Sequence, residues 1–200
     1  MSDARTVSIV PLTMAHLDDV VRIHMAGLGY TLNSLLGPSH LKFLYQTMAA
    51  DPACYVGVAI WRGRPSGVVS GSLDAGNFTN RLFKTMSVRR LCGIALEMLF
   101  HPRMVWLWRQ SAMIAAPVYD GKSEVKAVLT AIAVDPETRG RGIGRVLVAA
   151  FEGFLRDSGV RTYKLDTQIK NERASRFYSE LGFQEAGRRA DSIVFIRRLS

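Results

Sequence analysis

The sequence predicts a single-domain α/β (α+β) fold, and three observations carry that expectation. Of its 200 residues, 48% are hydrophobic and 22% charged. That balance supplies the apolar surface needed to offset ordering entropy, and a chain of this length buries roughly 70% of the surface its unfolded form exposes. Apolar residues alternate with period two in several runs, as in strands, and recur at helical spacing in the stretches between them. A glycine-rich turn at residues 139–144, "RGRGIG", joins a long strand-like run to a strongly apolar helical one.

Taken in order, "RTVSIV" at residues 5–10 alternates as a strand that Pro11 closes, and Thr13 then caps a helix with the stripe Leu17, Val20, Val21 and His24. His24 on that stripe reads as a hydrogen-bonded core residue, with substrate contact as the alternative. Gly27, Gly29, Gly37 and Pro38 mark a loop before a second helix with the stripe Leu41, Leu44, Tyr45 and Met48. Residues 53–61 and 66–73 read as strands, and the turn "RGRP" makes an antiparallel hairpin the simplest arrangement.

Residues 76–118 break this rhythm and predict an insert of two or three helices, the clearest with Leu91, Ile94, Ala95 and Met98 in register and His101-Pro102 as its stop. Arg81, Lys84, Arg89, Arg90, Arg103 and Arg109 stand beside Trp106 and Trp108. An amphipathic cover packed on its own sheet is the expected role, and a membrane-surface or partner-docking helix is the alternative. Residues 124–134 then form a long strand ending at Asp135-Pro136, followed by a helix with Ile143, Leu147, Ala150, Phe151 and Phe154 on one face and Gly159 at its end. "TYKLDTQI" is the next strand, a helix runs from Asn171 to Leu181 with Gly182 as its cap, and "FQEAGRR" and "SIVFIRRL" close the chain as a hairpin.

A net charge of +9 and a pI near 10.0 favour contact with something negative, whether a phosphorylated cofactor, nucleic acid, an acidic protein or a membrane surface. Nucleic acid is not expected, because the arginines are spread over the glycine turn, the insert and the C-terminus, with no recognised DNA-binding motif or aromatic RNA platform. Cys54 and Cys92 lie in apolar runs without metal-ligand spacing, which predicts buried thiols in a reducing cytoplasm, no disulfide and no metal site. The sequence shows no signal-peptide pattern and no apolar run long enough for a transmembrane segment.

The glycine turn fails both nucleotide motifs. A dinucleotide fingerprint needs glycine where Arg145 stands, and the phosphate loop needs a lysine followed by serine or threonine. It still suits an anion, because amides at the start of a helix lack intrahelical partners and the macrodipole adds its attraction. Arg139, Arg141 and Arg145 add charge suited to phosphate oxygens. A tight strand-to-helix turn with solvated arginines is the bland alternative.

"VDPETRGRGIG" carries R-x-x-G-x-G through Arg139, Gly142 and Gly144, and "NERASRFYSELGF" follows some thirty residues later with its Asn, Ala, Phe-Tyr and Gly-Phe pattern. In this order and spacing the two motifs, which cover residues 128–183 directly, resemble the GCN5-related N-acetyltransferase (GNAT) family. The resemblance implies a central, mostly antiparallel mixed sheet flanked by helices, with splayed fourth and fifth strands and the 76–118 insert between the third and fourth. It also implies acetyl-CoA as cosubstrate, lying in the gap. Backbone groups of Ile132, Ala133 and Val134 would pair with the pantetheine arm. Arg139, Gly140, Arg141, Gly142, Ile143, Gly144 and Arg145 would hold the pyrophosphate, and Asn171 would contact the pantetheine side or an ordered water. Tyr178 stands where the family's sulfur-protonating phenol is found, although its helical spacing with Ala174, Phe177 and Leu181 also suits a core aromatic.

Acetyl transfer to an amine requires a neutral nucleophile, a stabilised oxyanion and a proton for the leaving thiolate. The amide of Val134 is the expected oxyanion donor. No base is legible: "AVLTAIAV" offers Thr130 and no acid where many family members carry a carboxylate, leaving Asp74, Glu124, His24, Tyr30, a water chain or an amine that arrives neutral. Tyr30 and Asp74 are the candidate acceptor contacts. The expected reaction is transfer to a primary amine of a small molecule such as an amino sugar, amino acid or polyamine. A protein or peptide acceptor, or a non-catalytic acyl-CoA sensor, are the alternatives, and a homodimer is left open.

Overall fold

In the computed structural model, which describes residues 7–100, 105, 118–121, 123–189 and 191–199, the alternating runs become strands of one mixed sheet. In chain order these are β1 (Ser8–Pro11), β2 (Cys54–Trp61), β3 (Arg64–Ser72), β6 (Ala127–Val134), β7 (Thr162–Gln168), β8 (Gln184–Arg188) and β9 (Ser192–Arg198), while β4 (Tyr119–Asp120) and β5 (Ser123–Glu124) form a separate hairpin. The sheet order is β1-β2-β3-β6-β7-β9-β8, antiparallel throughout except for the parallel contact of β6 with β7. The single long strand expected over 124–134 is therefore divided. Val125 leaves the sheet line by donating its amide to the Val118 carbonyl at 2.7 Å, which closes the β4–β5 hairpin.

Helices α1 (Leu17–Leu28), α2 (Leu32–Leu35) and α3 (Pro38–Ala50) belong to one face, and α6 (Ile143–Asp157) and α7 (Glu172–Glu180) to the other. The strands serve both faces by alternation: Val68 faces α1 and α3, and Val69 faces α6. Ile143, Leu147, Phe151 and Leu155, four residues apart, make a fully buried stripe on α6 that packs with Tyr163, Leu165 and Phe195. The same helix buries Glu152, a charge that stands only because it is paired: the Tyr163 hydroxyl donates to it at 2.8 Å and the Arg197 guanidinium lies 2.6 Å away.

The expected cover is half realised. Helix α4 (Ala75–Thr85) buries Phe78 against the α1–α3 layer and ties Arg81 to Asp51 at 2.7 Å. Helix α5 (Val88–Phe100) touches α3 where Arg90 stacks on Phe43, yet Val88 is 76% and Leu99 74% exposed. Leu91 is exposed as well, so the stripe expected to seal α5 on the sheet does not do so. Cys54 is buried as expected, but Cys92 is exposed, because α5 carries it outside the core. Arg103, Trp106, Trp108 and Arg109 lie outside the described residues.

Candidate active site

Strands β6 and β7 pair only at Ala127 with Tyr163 and Val128 with Lys164, then part. The cause is on β6. Its register with β3 shifts between Ser70, opposite Ala131, and Gly71, opposite Leu129, leaving Thr130 as an extra residue. Such a bulge bends its strand. The Thr130 hydroxyl holds the bend by donating to the Ser70 carbonyl at 3.0 Å, with the Ser70 hydroxyl also at 3.0 Å.

Beyond the bulge the amide of Asp135 returns to β3, donating to the Ser66 carbonyl at 2.9 Å. Strand alternation then turns the polar backbone groups of Ile132 and Val134 into the gap and gives those of Ala133 to β3. Of the three residues expected along this edge, Ile132 and Val134 have backbone groups free of β3, and Ala133 does not. An unpaired strand edge needs hydrogen-bond partners, and here it faces a fork rather than a neighbouring strand.

At the mouth of the fork the chain passes from β6 to α6. Gly140 and Gly142 have φ of 79° and 76°, left-handed backbone that a side chain disfavours, and Gly142 is the N-cap of α6. Among the described residues, the six consecutive amides from Arg139 to Gly144 donate to no protein acceptor; the first helical bonds are those of Arg145 and Val146 to the Gly142 carbonyl. Asp135 braces this turn, accepting from the Glu137 amide at 3.1 Å and from Arg22 at 2.7 Å. Arg145 pairs with Glu180 of α7 at 2.9 Å, so it joins the two helices.

Tyr178 is 6% exposed and packs edge-on against Phe177 and Phe183. Its hydroxyl has no hydrogen-bond partner among the described residues, and burial, with a contribution from Tyr30, holds its pKa above that of a free phenol. Tyr30 comes from the α1–α2 loop and acts on the Tyr178 phenol through its charge. Asn171 caps α7, its carbonyl oxygen accepting from the Ala174 amide at 3.1 Å, and its amide nitrogen is not used in that bond. Asp74 caps α4 with both oxygens engaged by Asn77, at 3.0 and 2.8 Å. Glu124 lies exposed on β5. His24 is buried, with Nδ1 2.7 Å from the Tyr45 hydroxyl and Nε2 unpartnered, and burial lowers its pKa to about 4.

The sequence reasoning missed Asp166. It stands on β7 two residues beyond the last pairing with β6, so it belongs to the parted segment. Tyr163 and Leu165 point toward α6, which turns Asp166 to the opposite face. Its side chain is 7% exposed; Oδ2 lies 3.5 Å from Arg189, while Oδ1 is buried without a partner. Burial pushes its pKa up to about 6, against the pull of Arg189 and Lys164. The available signal was the alternation Lys164, Asp166, Gln168, which places two charged residues and an amide on a strand face that a sheet interior would reserve for apolar ones.

Residues 28–183 match the Acetyltransferase (GNAT) family, and the chain belongs to it. An aminoglycoside N(6')-acetyltransferase type 1 of Stenotrophomonas maltophilia is 34% identical over 64 residues, 32% of this chain and 39% of the relative. The [ribosomal protein bS18]-alanine N-acetyltransferase of Salmonella typhimurium is 41% identical over 61 residues, 30% of this chain and 41% of the relative. The chain thus spans well under half the length of these relatives. The PaiA N-acetyltransferase of Thermoplasma acidophilum, solved in complex with coenzyme A, shares the fold at a TM-score of 0.58 and 11% identity, covering 97% of this chain and 99% of that one.

Proposed function

We propose that the protein is an acetyl-CoA dependent N-acetyltransferase acting on a primary amine of a small molecule. The observation that carries this reading is the run of unbonded amides from Arg139 to Gly144, opening beside a fork in the sheet. These amides suit the pyrophosphate, and the facing groups of Ile132 and Val134 suit the amide-bearing pantetheine arm. The coenzyme in the Thermoplasma relative supports the same donor.

Asp166 is the base in this reading. With a pKa near 6 it is ionised at neutral pH and takes a proton from the incoming ammonium. The neutral amine attacks the thioester carbonyl, forming the C–N bond. The Val134 amide stabilises the oxyanion, and the C–S bond breaks as the intermediate collapses. Tyr178 keeps its proton at neutral pH and supplies it to the departing thiolate, and the second proton, shed by the attacking nitrogen as the amide forms, restores the phenol. A small-molecule acceptor is supported by the aminoglycoside enzyme among the relatives. A peptide N-terminus is the second reading, supported by the ribosomal-protein enzyme. Thiol release from acetyl-CoA, screened over amino sugars, amino acids, polyamines and peptides, separates the two. Coenzyme binding with no transfer to any member would leave an acyl-CoA sensor.

A further inference from the structure

The turn between β2 and β3 consists of Arg62 and Gly63, with Trp61 facing Arg64 across it. Both turn residues have positive φ, 51° and 74°, as a two-residue hairpin of right-handed twist requires. Asparagine or glycine is the ordinary occupant of the first position, and Arg62 is the only non-glycine residue with positive φ among the described residues. A disfavoured backbone conformation held by a long cationic side chain calls for a functional reason.

The side chain shows what it does there. The Arg62 guanidinium lies 4.4 Å from the centroid of the Trp61 ring, and that of Arg141, from the glycine turn, lies 4.5 Å from the same ring. The indole thus links the hairpin tip to the amides assigned to the pyrophosphate. None of Arg62, Arg64, Arg139 and Arg141 is in an ion pair among the described residues, whereas Arg22, Arg81, Arg145, Arg188 and Arg198 all are. Two unneutralised guanidinium groups, those of Arg62 and Arg141, against one indole suit a ligand that is both aromatic and multiply anionic.

We propose that Trp61 with Arg62 and Arg141 is the docking ledge for the 3′-phosphoadenosine end of coenzyme A, the indole stacking on adenine and Arg62 pairing with the 3′-phosphate. The inference rests on the acetyl-CoA reading above and extends it from the pyrophosphate to the far end of the donor. It makes the protein selective for coenzyme A over carriers that share only the phosphopantetheine arm. A rival place for the phosphate is the groove beside α7 lined by Arg173, Arg176 and Phe177, but Glu172 and Glu180 line it too.

Calorimetric titration of the whole protein with coenzyme A, 3′-dephospho-coenzyme A and 4′-phosphopantetheine tests this. The wild type should prefer coenzyme A over the dephospho form by about tenfold or more, the size of one charge-assisted hydrogen bond. Arg62→Asn, which puts a turn-favoured residue at the strained position and so preserves the fold, should bring that ratio to about one. Trp61→Leu should weaken coenzyme A and its dephospho form together and leave phosphopantetheine unchanged. An undiminished ratio in Arg62→Asn, or its loss in Arg176→Gln instead, overturns the assignment, as does a wild type that binds both forms equally. If the wild type binds neither coenzyme A nor phosphopantetheine, the donor reading falls and this inference with it.

Discussion

Asp166→Asn separates the work of the carboxylate from the strain of burying it. A shift from 3.8 to about 6 means that the ionised side chain is disfavoured in the fold by about 3 kcal/mol at neutral pH. The sign follows from linkage: the folded state holds the proton more tightly than the unfolded one. The penalty is therefore absent below the unfolded pKa of 3.8, grows up to about 6, and is constant above. Asparagine removes the charge at every pH. Part of the gain is offset because Arg189, 3.5 Å away, loses a charged partner. A net stabilisation of about 1–3 kcal/mol above neutrality remains, seen as a rise of several degrees in Tm that vanishes in acid. Catalysis should move the opposite way. Loss of the base lowers kcat/KM by about 10²–10⁴ and removes the acidic limb near pH 6 from the wild-type profile. Thiol release followed from about pH 5 to 9, paired with thermal melts in the same buffers, reads both. An acidic limb retained in Asp166→Asn, with turnover near wild type, would refute the role of the carboxylate. Equal melting points above neutrality would refute the burial argument.

Tyr178→Phe should lower kcat strongly and leave the affinity for acetyl-CoA nearly intact, since only a proton donor is lost from an already apolar packing site; an unaltered rate in stopped assays removes the phenol from the mechanism. Gly142→Ala forces a side chain into φ 76° at the cap of α6; it should cost about 1–2 kcal/mol in urea denaturation and raise the KM for acetyl-CoA. His24 is buried neutral, with a pKa lowered to about 4, so the unfolded state binds its proton first. Its contribution to stability is complete above 6.5, falls as the pH drops through that value and flattens near 4, a total of about 3 kcal/mol. His24→Gln should flatten this acid slope in urea titrations, and an identical slope would contradict it.

The parts of the site that were legible in the sequence are those that local physics dictates. Gly140 and Gly142 announce a turn because few other residues tolerate its dihedral angles, and the stripe of Ile143, Leu147 and Phe151 announces the helix that follows it. The hairpin of β2 and β3 was legible too, although its turn is tighter than "RGRP" suggested, with Arg64 and Pro65 already in the strand. The insert is less legible, since helical periodicity describes α5 but does not tell whether a sheet lies beneath it.

By itself the sequence determined most of the order of strands and helices, though not α2 or the β4–β5 hairpin, and the glycine turn in which amides are left without partners, because dihedral preference and hydrophobic period act over a few residues. Only the tertiary structure decided where β6 and β7 part, that Asp166 lies on the parted strand with one oxygen buried and unpaired, and that Arg62 and Arg141 both lie against the Trp61 ring. A carboxylate's pKa is set by the solvent it loses and the charges it meets, and for Asp166 these come from segments that only the folded sheet brings together.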